Sequence, residues 1–515
     1  MRFKYIQSRM PALAWAAVVP FGGDIVKVYH GNRVECSERF FVSGVWAGKF
    51  EDIGFCNSTF FCGTGGVLLQ TIDNQSFTPP HTSPQTKINS LIISTNSTPL
   101  DALYHLEKDD VLLFSNSFPC LLSVANEELD PNYLGYESAF CSSQFGTKGF
   151  VKNIPLKSGK LLFIHRCENI YINNGRIVKI DEKKSGLRFD DYNDYKVKIS
   201  ETVSNLVDNS RSRYRKHVFG LVSTISQGYD APAVSVWARE CGCNEIITFN
   251  RPHPDDCGTA IALKIGYQHI FEEDEHSYLK NKGMLEAEGS SCCAGHTFSA
   301  FDEITGGKLF FMGTRGDSVW ARQNPNVNND LDFSYGNQFS QACLVSQEHD
   351  YRACVVEVPV PMIGADAWED IHAISNSEEM LHWSVGGKYD RPIPRRLLEE
   401  MGIRRDEFGR KKQGAGSSFH FNTFKSLHKK MSHDSYQSLK HYKQHLNRNR
   451  WKWLLFSIRY YWIEMPMYMN HICKKIHIKS PFSTKKCGLV DSPTTNLMIL
   501  WGVDEMKKRY KEIIL

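Results

Sequence analysis

The chain has 515 residues, of which 41% are apolar and 23% charged, as in an ordinary globular protein of several domains. This length excludes a small disulfide-stapled scaffold. The sequence contains no run of about 18 uncharged apolar residues, so we expect no membrane-spanning helix. The formal net charge of +4 is unevenly distributed, because residues 421–515 carry 18 Lys and Arg against 6 Asp and Glu.

Short apolar runs separated by Gly, Asn, Ser and Pro predict that the first 200 residues are β-rich. The basic N-terminus and the apolar run 11–19 superficially resemble a signal peptide, but the run is short and leads into a strand-like segment at 25–28. We therefore expect 11–19 to be a first β-strand and the protein to be cytoplasmic. Residues 71–87 are typical of a loop, and Asn174-Gly175 between β-branched runs predicts a hairpin.

From about residue 215 the pattern changes to alternating strands and helices, which predicts a parallel sheet covered on both faces. The charged segment 187–217 is helix-like and forms a plausible connection. The predicted strands are 218–222, 245–248, 268–271 and 308–312, and a helix is predicted at 258–265.

The most informative stretch runs from Val218 to Cys241. An apolar strand ends in small polar residues, a glycine and Asp230, and a helical pattern then begins. Such a turn directs backbone N–H groups and the positive end of a helix dipole outward, which suits a phosphate. A carboxylate beside that anion is useful if it holds a cation such as Mg²⁺.

The turn Ser226-Gln227-Gly228-Tyr229-Asp230-Ala231 resembles the pyrophosphate loop Ser-Gly-Gly-x-Asp-Ser of the asparagine-synthetase-like ATP pyrophosphatases. Ser226, Gly228 and Asp230 match, whereas Gln227 and Ala231 depart. The segment Gly313-Thr-Arg-Gly-Asp317-Ser is similar to the family's Ser-Gly-Glu-Gly-x-Asp-Glu segment after a buried strand. Gly313 and Asp317 match, and Thr314 and Ser318 depart.

Two later segments extend the resemblance. Val355 to Pro361 is similar to the family's Glu-Ala-Arg-Val-Pro-Phe, and Arg410 to Gly414 resembles its Arg-Pro-Lys-Gln-Gly, with Lys412 at the lysine. The four segments occur in the family's order and cover about residues 215–416.

The resemblance implies an α/β fold of three parts. An adenine-nucleotide α-hydrolase-like (PP-loop) parallel-sheet domain at 215–416 follows a β-rich N-terminal domain at 1–200. A basic, mainly helical segment at 417–515 completes the chain.

The resemblance also implies an ATP- and Mg²⁺-dependent ligase that adenylates a carboxylate, releases pyrophosphate and joins the acyl group to an amine. The small-molecule or peptide carboxylate and the amine donor would be its partners, with no membrane involved. The resemblance implies that Ser226, Gln227 and Gly228 bind phosphate, that Asp230 and Asp317 bind the metal ion, and that Gly313 lies close to the nucleotide. Thr248 and Phe249 would lie near the adenine. The implied catalytic residues are Lys412, which would contact the leaving pyrophosphate, Asp230, and Glu357 as the candidate base, for which Glu378 and Glu379 are alternatives.

Other interpretations stay open. Arg2 occupies the position of the family's glutaminase cysteine, so glutamine hydrolysis by that route is not expected. The N-terminal region is either a degenerate relative of that glutaminase, as in β-lactam synthetases and lasso-peptide cyclases, or unrelated to it. The whole chain could instead be a non-catalytic nucleotide-binding or interaction protein that kept the fold.

The basic, aromatic C-terminal segment also fits a PP-loop tRNA-modifying enzyme that binds nucleic acid. A helical subdomain with a solvated basic face is the simpler interpretation of this segment.

Overall fold

The structure is a computed structural model that describes residues 1–515 except 58, 73–87, 251–255, 281–282, 296, 325–326, 334–346, 410–422, 476–490 and 515. In this part of the chain, no helix is both long enough and apolar enough to cross a bilayer.

The N-terminal region contains two β-sheets that pack face to face. The strands are β1 (Arg2–Gln7), β2 (Trp15–Pro20), β3 (Ile25–His30), β4 (Glu35–Cys36), β5 (Phe40–Trp46), β6 (Phe61–Ile72), β7 (Ile88–Ser94), β8 (Leu103–Lys108), β9 (Val111–Ser115), β10 (Asn153–Pro155), β11 (Leu161–His165), β12 (Glu168–Asn173) and β13 (Arg176–Glu182). The seven-stranded sheet has the order β1-β3-β2-β9-β8-β11-β10, and the six-stranded sheet has the order β13-β12-β7-β6-β5-β4. Neighbouring strands are antiparallel except β1 and β3, which are parallel.

Alternating side chains hold the two sheets together. Trp15 and Phe114 from the seven-stranded sheet share one buried cluster with Phe41 and Ile93 from the six-stranded sheet. The Trp15 and Phe41 rings meet edge to face, with their centroids 5.1 Å apart. The other face of the seven-stranded sheet packs on helices α1 (Phe118–Ala125) and α2 (Tyr136–Cys141), which a short helix α3 (Gly146–Gly149) follows.

A long helix, α4 (Tyr192–Ser210), leads to a five-stranded parallel sheet. The strands are β14 (Gly220–Thr224), β15 (Glu245–Phe249), β16 (His269–Glu273), β17 (Lys308–Met312) and β18 (Val356–Pro359), and their order is β16-β15-β14-β17-β18. Its helices are α5 (Asp230–Glu240), α6 (Thr259–Ile265), α7 (Glu286–Ser290), α8 (Asp302–Thr305), α9 (Gly316–Val319), α10 (Gln347–Ala353), α11 (Trp368–Asn376) and α12 (Pro392–Glu400).

Apolar side chains cover both faces of this sheet. Leu221, Leu309 and Val356 pack with α5 in the largest buried cluster, whereas Val222 and Phe310 face a second cluster with Phe301. The continuous apolar runs of the sequence are explained by this double burial.

The C-terminal part contains α13 (Phe424–Leu427), α14 (His433–His445), α15 (Arg450–Lys475) and α16 (Pro493–Ile514). Helix α16 packs against α1, α2 and α7, so its apolar side chains share one buried cluster with the seven-stranded sheet. The helical character predicted for this segment is therefore confirmed, but its last helix is built into the rest of the molecule.

The sequence patterns located most elements correctly. The hairpin of β12 and β13 is confirmed, and its turn residues Asn174 and Gly175 have φ of 48° and 76°, as a tight hairpin turn requires. The strand predicted at 218–222 is β14, displaced two residues along the chain, because Val218 is exposed and pairing begins at Gly220. The strand predicted at 11–19 is β2, and β1 precedes it. Most of the predicted loop 71–87 lies outside the described residues.

Candidate functional site

The order of the parallel sheet creates a crevice beside its central strand. From β14 the chain adds β15 and β16 on one side, then crosses over to place β17 and β18 on the other side. The loops that leave the carboxyl ends of β14 and β17 therefore diverge from neighbouring strands. Open α/β sheets bind ligands at this kind of switch point.

Two glycines bring the loops after β14 and β17 into direct contact. A Cβ atom at Gly313 would lie 2.7 Å from the carbonyl carbon of Asp230 and 2.9 Å from the nitrogen of Ala231. A Cβ atom at Gly316 would lie 2.8 Å from the Cγ atom of Asp230. A Cβ atom at Gly313 would require the backbone of the Asp230 loop to shift, and one at Gly316 would require the Asp230 side chain to shift. The structure thus brings together Gly313 and Asp230, which the sequence placed in one site.

Asp230, the first residue of α5, forms an ion pair with Arg391. The Nη1 atom of Arg391 lies 2.6 Å from Oδ1 and 2.7 Å from Oδ2 of Asp230. The arginine side chain is 5% exposed and the aspartate side chain 21%. Arg391 immediately precedes α12 and reaches the crevice from there.

Asp317 contributes to the same electrostatic centre. Burial disfavours the charged form of Arg391, but the carboxylates of Asp230 and Asp317 outweigh this effect and raise the pKa of Arg391. The Arg391 guanidinium also lies 4.8 Å from the ring centroid of Tyr389, which limits its access to water. Both predicted metal ligands thus interact electrostatically with a permanent cation that the sequence analysis did not single out.

The loop between β14 and α5 already has acceptors for two of its backbone donors. The N–H of Gln227 donates to Oδ1 of Asp256 at 3.1 Å, and the N–H of Gly228 donates to Oγ of Ser226 at 3.1 Å. A phosphate oxygen would have to take the place of these acceptors to use both N–H groups.

Lys412 lies outside the described residues. The chain described before it ends at Gly409, whose N–H donates to the carbonyl oxygen of Gln227 at 2.8 Å. An added Cβ atom at Gly409 would overlap the ring of Tyr229. The last described residue before Lys412 therefore lies against the loop after β14.

The two residues expected near adenine have different surroundings. Thr248 lies near the carboxyl end of β15, and its Oγ1 atom accepts a hydrogen bond from the N–H of Gly258 at 3.0 Å. Phe249 packs with Phe298 and Phe301 at ring-centroid distances of 5.6 and 5.1 Å, in the cluster beneath one sheet face.

Glu357 lies on β18, level with Phe310 and two residues before the carboxyl end of β17. Its Oε2 atom is buried and has no hydrogen-bond partner. Burial, followed by the charges of Asp350 and Asp101, raises the pKa of Glu357 well above its usual range, which favours the protonated form. The described contacts link this residue to α10 and not to the Asp230–Arg391 pair. Of the alternative bases, Glu379 lies 3.1 Å from Arg396 in a separate ion pair.

The described residues contain no group of three or more His, Cys, Asp and Glu side chains that could hold a metal ion. Mg²⁺ is commonly held by one or two carboxylates together with substrate phosphates. Asp230 and Asp317 fit that donor set, provided that Arg391 releases Asp230.

In comparisons with known proteins, no family model matches the chain, and no curated protein matches it.

Proposed function

We propose that the protein is an ATP-dependent, AMP-forming carbon–nitrogen ligase that adenylates a small-molecule or peptide carboxylate and transfers the acyl group to an amine. The observation that carries this proposal is the contact between the Asp230 loop and the Gly313 loop at the switch point of the parallel sheet. The residues of two separate motifs meet there, at the usual ligand crevice of such sheets.

The chemistry requires positive charge where pyrophosphate leaves. Magnesium, when bound, would neutralise charge on the phosphates, with Asp230 and Asp317 as its protein ligands. Arg391 supplies a further cation at the same place, because it pairs with Asp230 and its charge also interacts with that of Asp317. Gly409, the last residue described before Lys412, contacts the Gln227 loop. We keep Lys412 as the proposed cation on the leaving pyrophosphate.

The sandwich of two sheets at the N-terminus supports an amidotransferase-like origin for residues 1–200, without a thiol nucleophile at position 2. We propose that this region does not act as a cysteine-dependent glutaminase, because Arg2 stands where that family has its nucleophilic cysteine. The amine would then come from another molecule, or from the substrate itself.

The proposal is tested by calorimetric titration with α,β-methylene-ATP, which cannot be cleaved at the bond in question. We expect magnesium-dependent binding by the wild type and at least tenfold weaker binding by Asp317→Asn and Asp230→Asn. Asp24→Asn, an exposed aspartate on the N-terminal sandwich, is the matched control. A screen of acids and amines by pyrophosphate release would then identify the substrates.

Two observations favour a second candidate, a non-catalytic nucleotide-binding or interaction protein. Arg391 neutralises Asp230, and two loop N–H groups already have protein acceptors, so these groups have partners without a ligand. Binding of the analogue without magnesium dependence, or no binding at all, would favour this candidate over the ligase.

A further inference from the structure

A cationic pocket lies between the C-terminal helices, far along the chain from the crevice residues. Its volume is about 700 Å³, and it is bounded by residues of α13, α14, α15 and α16 and of the connection between α14 and α15. Four basic side chains line it: Lys440, Lys443, Arg448 and Arg450. Its described lining contains no carboxylate.

Two of these cations are held against aromatic rings inside the pocket. The Lys443 Nζ atom lies 3.9 Å from the ring centroid of Phe424, and the Arg448 guanidinium lies 4.4 Å from that of Trp453. Burial and the charge of Arg448 lower the pKa of Lys443, and burial and the charge of Arg450 lower the pKa of Arg448. The clustered cations repel one another, so an anion in the pocket would relieve an unfavourable charge distribution.

An apolar stripe on α15 continues from this pocket. Seven large side chains recur every three or four residues and are at least 46% exposed, which places them on one face of the helix. They are Trp451, Leu454, Leu455, Ile458, Tyr461, Trp462 and Met465. Leu454 and Tyr461 also line the pocket, so the pocket and the stripe form one surface.

The opposite side of α15 is already buried in the protein. Trp453 and Tyr460 are 5% and 8% exposed, and the Trp453 Nε1 atom donates to the carbonyl oxygen of Pro131 at 2.9 Å. The helix is therefore apolar on two sides, of which one has a partner within the described chain. Exposed apolar surface of this kind marks an interaction site.

We propose that the cationic pocket and the apolar stripe together bind the surface of a membrane that contains anionic lipids. Helix α15 lies in the plane of the interface, its stripe enters the boundary between headgroups and acyl chains, and lipid phosphates occupy the pocket. The side chains suit both layers, since Trp and Tyr favour the interface and Leu, Ile and Met favour the acyl region. This proposal departs from the sequence-based expectation that no membrane is involved. The absence of a spanning helix among the described residues does not bear on a helix that lies on the membrane surface.

Charge and composition favour this occupant over two others. Helix α15 carries five Lys and Arg against one Glu, so pairing of two copies through the stripe would bring like charges together. Single-stranded nucleic acid would use the cations and the rings, but it would leave Leu455, Ile458 and Met465 without a partner. An anionic bilayer satisfies the charges and the aliphatic side chains at once.

The test is co-sedimentation of the full chain with lipid vesicles. We expect binding to equimolar phosphatidylcholine and phosphatidylglycerol, little binding to phosphatidylcholine alone, and release by salt. Two double variants should each weaken binding about tenfold or more. The pocket variant combines Lys443→Gln with Arg448→Gln, and the stripe variant combines Leu455→Ser with Ile458→Ser. Val197→Ser on α4, at a position 53% exposed, and Lys27→Gln are matched controls that should bind like the wild type.

Equal binding by all variants, or no binding to anionic vesicles, would overturn the proposal. The proposal would also be overturned if the wild type bound poly(U) tightly but not vesicles, and the pocket variant lost the poly(U) binding. A wild-type dimer that the stripe variant fails to form would likewise overturn it. Circular dichroism checks that each variant folds. As a second measurement, brominated lipids should quench tryptophan fluorescence of the wild type, and less so that of Trp462→Phe; equal quenching would also count against the proposal.

Discussion

The guanidinium of Arg391 is almost fully enclosed and touches both oxygens of Asp230. A buried ion pair is poor evidence for net stability, but removal of one partner leaves the other charge without compensation. This pair therefore offers a direct measure of how the crevice is held together before any ligand binds.

We predict that Arg391→Met and Asp230→Asn each lower the free energy of unfolding by about 3 kcal/mol. The double variant should lose less than the sum of the two single losses, because each single substitution already removes the same ion pair. Urea unfolding of the four proteins measures the coupling. Strictly additive losses would show that the two side chains do not depend on each other.

Gly313 allows a second prediction at the same site. Gly313→Ala would place its Cβ atom against the backbone of Asp230 and Ala231, so we expect a loss of about 1–3 kcal/mol in unfolding free energy. Gly48→Ala is the control, because its added Cβ would meet its nearest atoms at 3.4 Å or more. Equal midpoints of urea unfolding for the two variants would contradict the tight contact.

At the scale of residues, the sequence drew attention to one side of the Asp230–Arg391 contact and missed the other. Asp230 and Gly313 belong to local patterns of strand, turn and glycine, which can be seen in a short window of sequence. Arg391 reaches Asp230 from 161 residues away, and its Asp390-Arg391-Pro392 context is an ordinary turn before a helix. The sequence predicted Glu357 as a candidate base, but burial on β18 raises its pKa and so favours the protonated form.

Among the elements, α10 joins three parts of the molecule through ionisable side chains. Glu348 accepts hydrogen bonds from Ser117 Oγ at 2.5 Å and from the Tyr510 hydroxyl at 2.7 Å. His349 lies 2.5 Å from Asp302 and 3.1 Å from Asp350. Burial alone would lower the pKa of His349, but the hydrogen bonds and charges of these two aspartates raise it to about 10.

We predict that this histidine makes stability depend on alkaline pH. Its folded-state pKa lies above the ordinary value of 6.5, so its contribution is complete below pH 6.5 and is lost as pH rises through about 10. Between pH 7 and pH 10, the unfolding free energy of the wild type should fall by about 3–4 kcal/mol more than that of His349→Gln. Thermal or urea unfolding across this pH range measures the difference.

His269→Gln, on an exposed part of β16, is the matched control and should keep the wild-type slope. Parallel pH profiles for the wild type and His349→Gln would mean that His349 is neutral between its two aspartates.

Elements with continuous apolar runs were the easiest to predict. The strand at 308–312 coincides with β17, because five apolar or amphipathic residues are bounded by glycines on both sides. Strand β1 was missed although Phe3 and Tyr5 alternate with polar residues, since the basic N-terminus resembles a targeting segment. Its place in the sheet depends on parallel pairing with β3, which no local pattern reveals.

On the scale of the whole molecule, α16 connects the C-terminal helices to both earlier regions. Its Tyr510 hydroxyl contacts Glu348 of α10, and Arg509 contacts Glu288 of α7 at 3.2 Å. Burial raises the pKa of Glu348 to about 7, against which the Ser117 and Tyr510 hydrogen bonds act. The charge pattern of residues 421–515 gave no sign of this role.

We predict that Tyr510→Phe lowers the midpoint of thermal unfolding of the whole chain, by the equivalent of about 1–2 kcal/mol. Loss of this hydroxyl removes one buried hydrogen bond from Glu348, which joins the N-terminal region, the parallel-sheet region and the C-terminal helices. The midpoints measured by far-ultraviolet circular dichroism and by tryptophan fluorescence should therefore fall together. Tyr214→Phe, whose ring is 51% exposed, should leave both unchanged. A shift in only one signal would show that the C-terminal helices unfold separately.

From the position of β14 at the centre of the parallel sheet we expect a particular order of strand pairing when the chain folds. Strand β14 pairs with β15 after a short helical connection, whereas its pairing with β17 joins Gly220 to Lys308. Closing that longer loop carries the larger entropy loss, so the half of the sheet that completes the crevice should form last. A ligand that binds there would slow unfolding more than it speeds refolding.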